Sequence, residues 1–301
     1  MTIILEPSAY GADPLVADNT AALSAWFAAL MSTAGAQGQI SRPYKHATGL
    51  VWDFATRPWG VKISFDRGAG SLQYTGSGQA LNIICSGGSG TSNIKSVAGA
   101  VFSDFDCSCD VGGAAYQIGK LDGSDVFESC HFERPRFINN NSAGNNAAVT
   151  LRIIGMNATV WDVPIINGKP ATPTYAGAGA ALELVQVTSS VFNSASISNA
   201  NIGIRYSNLG NNALGFTHGN TFNSPDCENL QYMVWGESGP YAWEVYRGGC
   251  QDLVYPGGYT VVSKAGFSGA GIPCGSISFL CPPYPFTKHP IFQNGVQLIV
   301  S

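Results

Sequence analysis

Val160-Trp161-Asp162-Val163-Pro164-Ile165-Ile166 is echoed by Val191-Phe192-Asn193-Ser194-Ala195-Ser196-Ile197, and again by Thr221-Phe222-Asn223-Ser224-Pro225-Asp226-Cys227. Each copy opens on a β-branched residue and an aromatic, then a polar residue, and returns to Ile or Cys five places after the aromatic. Working upstream, Val101-Phe102 and Val126-Phe127 open similar segments. The aromatics then recur unevenly, with the shortest step from Phe102 to Phe127 and the longest from Phe127 to Trp161. A strand, a one-residue bend and a second strand form the simplest backbone for that pattern. A further candidate strand precedes each later pair: Ala115–Ile118, Val149–Ile153, Ala181–Leu184 and Ile202–Tyr206. Short strands repeating at this period define a solenoid, in which a turn buries its apolar face only by stacking on its neighbours. Three strands per turn fit a parallel β-helix better than a sandwich, and the uneven steps exclude a strict propeller or leucine-rich array. The expected fold is all-β: a single-stranded right-handed parallel β-helix.

Composition agrees. Charged residues make up 11% of the 301 residues, against roughly 25% in ordinary globular chains. Gly, Asn, Ser and Thr replace them, which favours tight turns over long surface helices. Net charge is −4, with 15 Lys+Arg and no basic run. A nucleic-acid partner is set aside because phosphate neutralisation needs clustered cations.

One helix is expected, over the stretch that follows Asp18-Asn19-Thr20, with Leu23, Trp26, Phe27 and Leu30 on one face. Asp18, Asn19 and Thr20 are capping residues, and Gly35 and Gly38 are read as its end. Three segments follow: 1–38 with the capping helix, 39–255 as the β-helix, and 256–301, where Pro273, Pro282, Pro283, Pro285 and Pro290 argue against central strands. The last segment reads as a cap, a docking arm or an oligomerisation element. Met1–Pro7 has no basic or apolar signal-peptide pattern, and the apolar run from Ala21 to Met31 is too short to span a bilayer. Cys107-Ser108-Cys109 lacks a second cysteine pair to complete a metal site, so the eight cysteines are read as buried, reduced thiols.

Tyr10-Gly11-Ala12-Asp13, with Asp18-Asn19-Thr20-Ala21-Ala22-Leu23 after it, resembles the opening of pectate-lyase-like right-handed β-helices, in which a helix plugs the end of the solenoid. Val126-Phe127-Glu128-Ser129-Cys130-His131-Phe132 is similar to the coil pattern of the same superfamily. The opening is especially common in bacteriophage tail spikes and capsule depolymerases. The resemblance covers about two dozen residues of the opening and the repeats to about residue 255, and it speaks for the fold more than for the reaction. It departs from the family at Asp13-Pro14-Leu15-Val16-Ala17, which stands where a Gly-rich turn is usual. The family's polygalacturonase motifs do not occur.

The repeat columns propose a site. One column holds Ser103, Glu128, Asp162, Asn193 and Asn223; the next holds Asp106, His131, Ile165, Ser196 and Asp226. Adjacent turns lie about 4.8 Å apart, so Glu128 and Asp162 in one column would meet at roughly the carboxylate spacing of a retaining glycosidase. Asp106 and His131 would assist. Asn193 and Asn223 offer amides to a glycan. Among the late aromatics Trp235, Tyr241, Trp243 and Tyr246, we single out Trp235 and Trp243 as stacking faces. No metal site or cofactor is called for.

The resemblance implies a virion spike that binds bacterial surface polysaccharide, homotrimeric and attached to other virion proteins; it supports glycan engagement more than cleavage, and leaves open whether the polymer is depolymerised. Its rivals are a non-catalytic structural or decoration protein of the virion and a free polysaccharide lyase or glycoside hydrolase.

Overall fold

The computed structural model describes residues 2–86, 95–145, 147–168, 179–211, 214–215, 217–237, 241–248, 250–252, 259–263, 276–280, 291–292 and 297–300. They form a parallel β-solenoid with one α-helix, Thr20–Ser32, among the described residues. Face A is an 11-stranded parallel sheet that includes Val101–Ser103, His131–Glu133, Val160–Asp162, Val191–Asn193 and Thr221–Asn223. Face B stacks Asp106–Cys109, Arg136–Asn139 and Ile165–Gly168 under the first residues of Ser196–Tyr206. Face C stacks Ala114–Ile118, Val149–Asn157 and Ala180–Thr188 under the last residues of that same long strand.

The corners between faces A and B are single residues in the left-handed region: Asp104 (φ 54°), Arg134 (51°), Val163 (50°), Ser194 (49°) and Ser224 (48°). One such residue turns the chain while its N–H still serves the ladder. Arg134 N donates to Asp162 O at 2.7 Å, Val163 N to Asn193 O at 2.8 Å, and Ser194 N to Asn223 O at 2.7 Å. Backbone pairing therefore runs around the corner without leaving orphans. Val163 is the costly member, since a β-branched residue clashes with its own backbone there.

The lumen is filled from face A by a stack of rings. Phe102, Phe132, Trp161, Phe192, Phe222 and Tyr246 lie one per turn, with centroids 4.6, 3.9, 5.7, 4.6 and 4.8 Å apart. All are at most 1% exposed. The register corrects one turn of the repeat. His131-Phe132-Glu133 pairs with Val101-Phe102-Ser103 on one side and with Val160-Trp161-Asp162 on the other. Val126-Phe127 lies instead on Asp125–Glu128, the strand before the corner, paired with Ser96-Val97. With Phe132 as the reference, the steps from Phe102 through Trp161 and Phe192 to Phe222 become nearly even.

The helix closes one end of the lumen. Leu23, Trp26, Phe27, Leu30 and Met31 are buried at helical spacing; Phe27 stacks on Trp52 (5.2 Å, 3°) and Trp26 meets it edge-on at 5.7 Å. At its start, Asp18 Oδ1 accepts from Thr20 N and Ala47 N at 3.0 Å each. These hydrogen bonds, the Thr20 hydroxyl first, lower the Asp18 pKa to about 2. Buried Asn19 holds the preceding loop, accepting from Asp13 N at 2.7 Å and donating to the carbonyls of Asp13 and Lys45. At the other end, Arg57 Nη1 donates to the carbonyls of Leu30 (3.1 Å) and Thr33 (3.0 Å), supplying partners the last turn lacks. Gly38 does not end the helix: it lies in the strand Ala36–Ile40, where an added Cβ would come within 2.7 Å of Trp26.

Parallel pairing continues past residue 255. Tyr259–Ser263, Ser276–Leu280, Ile291–Phe292 and Gln297–Val300 extend the ladders of faces A and C. The five prolines singled out in this segment lie outside the described residues.

Candidate functional site

On the outer side of face A, the residue after each ring forms a polar column: Ser103, Glu133, Asp162, Asn193, Asn223 and Arg247. Its members bond along the solenoid axis. Asn223 Nδ2 donates to Asn193 Oδ1 at 2.8 Å, and Asn193 Nδ2 to Asp162 Oδ1 at 2.7 Å. His131 Nε2 lies 2.7 Å from Asp162 Oδ2. Ser103 Oγ donates to Glu133 at 3.1 Å, and Arg134 bridges Glu133 and Asp104. The hydrogen bond from Asn193, with help from His131, holds the Asp162 carboxyl below its ordinary value.

The shared column of Glu128 and Asp162 is therefore corrected. Glu128 pairs with Ala98 and Asn157 on the strand before the corner, and the carboxylate in register with Asp162 is Glu133. The misplaced turn has the same cause: two buried aromatics, Phe127 and Phe132, compete within one short stretch, and the one preceded by an apolar residue is the wrong one. The other assumed column shifts with it. Asp106 is in register with Arg136, which donates to both its carboxylate oxygens at 3.1 Å, and not with His131. Among the described residues, no three His, Cys, Asp or Glu side chains are grouped to hold a metal. Cys107 and Cys109 face the lumen, where burial raises both thiols, Cys109 to about 12.

A second constellation, which the sequence did not single out, lies on the outer side of face C. Register places Gln117, Arg152, Glu183, Arg205 and Trp235 in one column. Glu183 is 1% exposed between two guanidinium groups. Arg152 Nε donates to Oε2 at 2.7 Å; Arg205 gives Nε at 3.0 Å and Nη2 at 2.9 Å to Oε1. Burial opposes ionisation, yet the charges of Arg205 and Arg152 outweigh it and hold the carboxyl below its ordinary value. These side chains form the floor of an open cleft of about 410 Å³, walled by Ser207, Leu209 and Gly210 and by Glu237. That volume lies within the roughly 300–1,000 Å³ of small-ligand sites. Arg152, Glu183 and Arg205 each fall within a segment that the sequence marks as a candidate strand: Val149–Ile153, Ala181–Leu184 and Ile202–Tyr206.

The four late aromatics separate. Tyr246 is in the lumen stack, and the side chain of Tyr241 lies outside the described residues. Trp235 is 8% exposed, packed on Tyr232 at 4.6 Å, with its Nε1 donating to Glu237 at the cleft. Trp243 is 67% exposed at φ 55°, on the corner that precedes face A, its ring 5.9 Å from that of His218.

No family model matches the sequence, and no curated protein matches it. Solved structures do. The tailspike protein of Acinetobacter phage vB_ApiP_P1 is 14% identical, with a TM-score of 0.51 over 92% of this chain and 48% of its own. PfbA, a surface adhesin of Streptococcus pneumoniae, is 8% identical, with a TM-score of 0.51 over 99% of this chain and 81% of its own. The Dettilon tailspike protein is 10% identical, with a TM-score of 0.48 over 92% of this chain and 54% of its own. The chain thus spans about half the length of the two tailspikes. The first two likenesses, with the parallel solenoid itself, establish the fold as a right-handed, tailspike-like β-helix.

Proposed function

We propose that this protein is the solenoid of a virion spike and binds bacterial surface polysaccharide on its outer faces. The observation that carries the reading is the cleft on face C, a ligand-sized concavity with fixed charged groups, close to the packed indole of Trp235. The amide column of face A and exposed Trp243 supply flanking contacts, since amides and a free ring face are what a sugar chain uses. Attachment to other virion proteins and trimeric assembly belong to the same reading and rest on the tailspike resemblance.

Binding is favoured over cleavage by the titration of the carboxyls. A glycosidase acid needs a raised pKa near its substrate, whereas Asp162 and Glu183 are both lowered. The raised carboxyls among the described residues, Asp125 and Glu244, are both fully buried. Depolymerisation is the second reading because Glu133 and Asp162 are register partners on adjacent turns; His131, which touches Asp162, would assist, while Asp106 and Glu128 lie on the strands after and before face A.

The test is incubation of the purified protein with capsular and lipopolysaccharide extracts from candidate hosts, following both retention and polymer size. Retention without shortening is the expected result. Shortening would establish the depolymerase, and neither result on any extract would leave a structural rod.

A further inference from the structure

The floor of the cleft on face C holds a guanidinium group, that of Arg152, with donors left uncommitted. Two guanidinium groups meet one carboxylate, and all three side chains are nearly withdrawn from water: exposure is 17% for Arg152, 10% for Arg205 and 1% for Glu183. Among the described residues, Arg152 makes one side-chain hydrogen bond, from Nε to Glu183. That bond fixes the plane of the guanidinium and commits only one of its five donors. Glu237, the other acid at the cleft, is engaged by the indole Nε1 of Trp235.

From these contacts we infer that the cleft receives a carboxylate of the polysaccharide, end-on against the Nη1 and Nη2 atoms of Arg152, so that the polymer engaged is an acidic one. This rests on the polysaccharide reading above. A planar guanidinium fork matches a carboxylate in two parallel hydrogen bonds, which an alcohol cannot reproduce. Donors withdrawn from water are costly to leave unmade, so a carboxylate that takes the uncommitted N–H groups of Arg152 gains more here than on an open surface. Glu183 is a positioning residue: it touches no ligand and sets the angle at which Arg152 faces the cleft.

The experiment compares acidic capsular extracts with the same extracts after reduction of their carboxyls to primary alcohols, using the full chain. Retention of the native extract, weakened at least about tenfold by carboxyl reduction and by added salt, is the expected result. Arg152→Lys keeps the charge beside Glu183 and removes the fork, so it should lose the preference for the native polymer while keeping the wild-type thermal midpoint within a few degrees. Should Arg152→Lys not fold, Ser207→Trp fills the cleft from its wall and should abolish the same preference. Equal retention of native and reduced polymers, or an unchanged preference in both variants, overturns the acidic-sugar assignment and leaves polysaccharide binding standing. Retention of no extract overturns both readings.

Discussion

His131 Nε2 and Asp162 Oδ2 are 2.7 Å apart, although the two residues belong to successive turns of the solenoid. Asp162 also accepts from Asn193 on the turn beyond, so a single carboxylate ties three turns together on the outside of face A. Its lowered pKa means that any stabilisation it gives is present above the ordinary carboxylate range and fades as pH falls through the folded value. With 41% of the His131 side chain and 35% of the Asp162 side chain in water, that stabilisation is small, on the order of 0–1 kcal/mol. Asp162→Asn should therefore melt within a few degrees of wild type. If Glu133 and Asp162 cleave glycan, Glu133→Gln or Asp162→Asn should abolish polymer shortening; if they only line a surface, both variants should leave polymer size and retention nearly unchanged.

Glu244 gives the opposite pH dependence. Burial raises its carboxyl to about 8, against smaller opposing contributions from hydrogen bonds with Tyr206 (3.0 Å) and Asn220 (3.1 Å). Below about 4.5 the acid is neutral in both folded and unfolded chains. Between there and about 8 only the unfolded chain releases its proton, so stability falls, by on the order of a few kcal/mol, and then levels off. Denaturation midpoints measured from acid to mildly alkaline pH should show this decline in wild type and lose most of it in Glu244→Gln. A flat wild-type profile would exclude a buried neutral acid.

Trp243 separates stability from binding. A left-handed corner costs an L-residue about 1–2 kcal/mol, and the preceding turn places Gly219 at the equivalent corner. Because the Trp243 ring is largely in solvent, Trp243→Gly should melt no lower than wild type. The same variant should retain glycan more weakly. Lower stability together with intact binding would show that the ring is a packing element.

The ring stack carries the core. Trp161 lies between Phe132 (3.9 Å) and Phe192 (5.7 Å) with no exposed surface. Trp161→Ala should cost about 3–5 kcal/mol in chemical denaturation. Trp161→Phe keeps a ring in the stack and should cost markedly less. Equal losses in the two variants would mean that stacking contributes little.

The fold was legible because its signal repeats: an aromatic followed by a polar residue, once per turn, survives one misassigned copy. The site was legible only in part. Asp162, Asn193 and Asn223 align by sequence alone because a single aromatic pair opens each of their turns. Glu133 was hidden behind Glu128, since Phe127 and Phe132 are both buried and only register across the sheet tells them apart. The cleft was hidden for another reason. The step from Glu183 to Arg205 is much shorter than that from Arg152 to Glu183. It breaks the period because the chain passes from face B to face C within the single strand Ser196–Tyr206. Distances in sequence that follow no common period cannot be summed into a neighbourhood without the backbone.

The single file of rings from Phe102 to Tyr246 also bears on how such a rod changes over generations. Each turn presents the same kind of surface above and below, a flat ring and a row of amide groups. Duplicating or excising a whole turn would return ring to ring, while changing the reach of the rod by about 4.8 Å. Length in this architecture is thus open to adjustment by copy number, whereas a loss or gain of one residue inside a strand would turn that strand's later side chains to the opposite face.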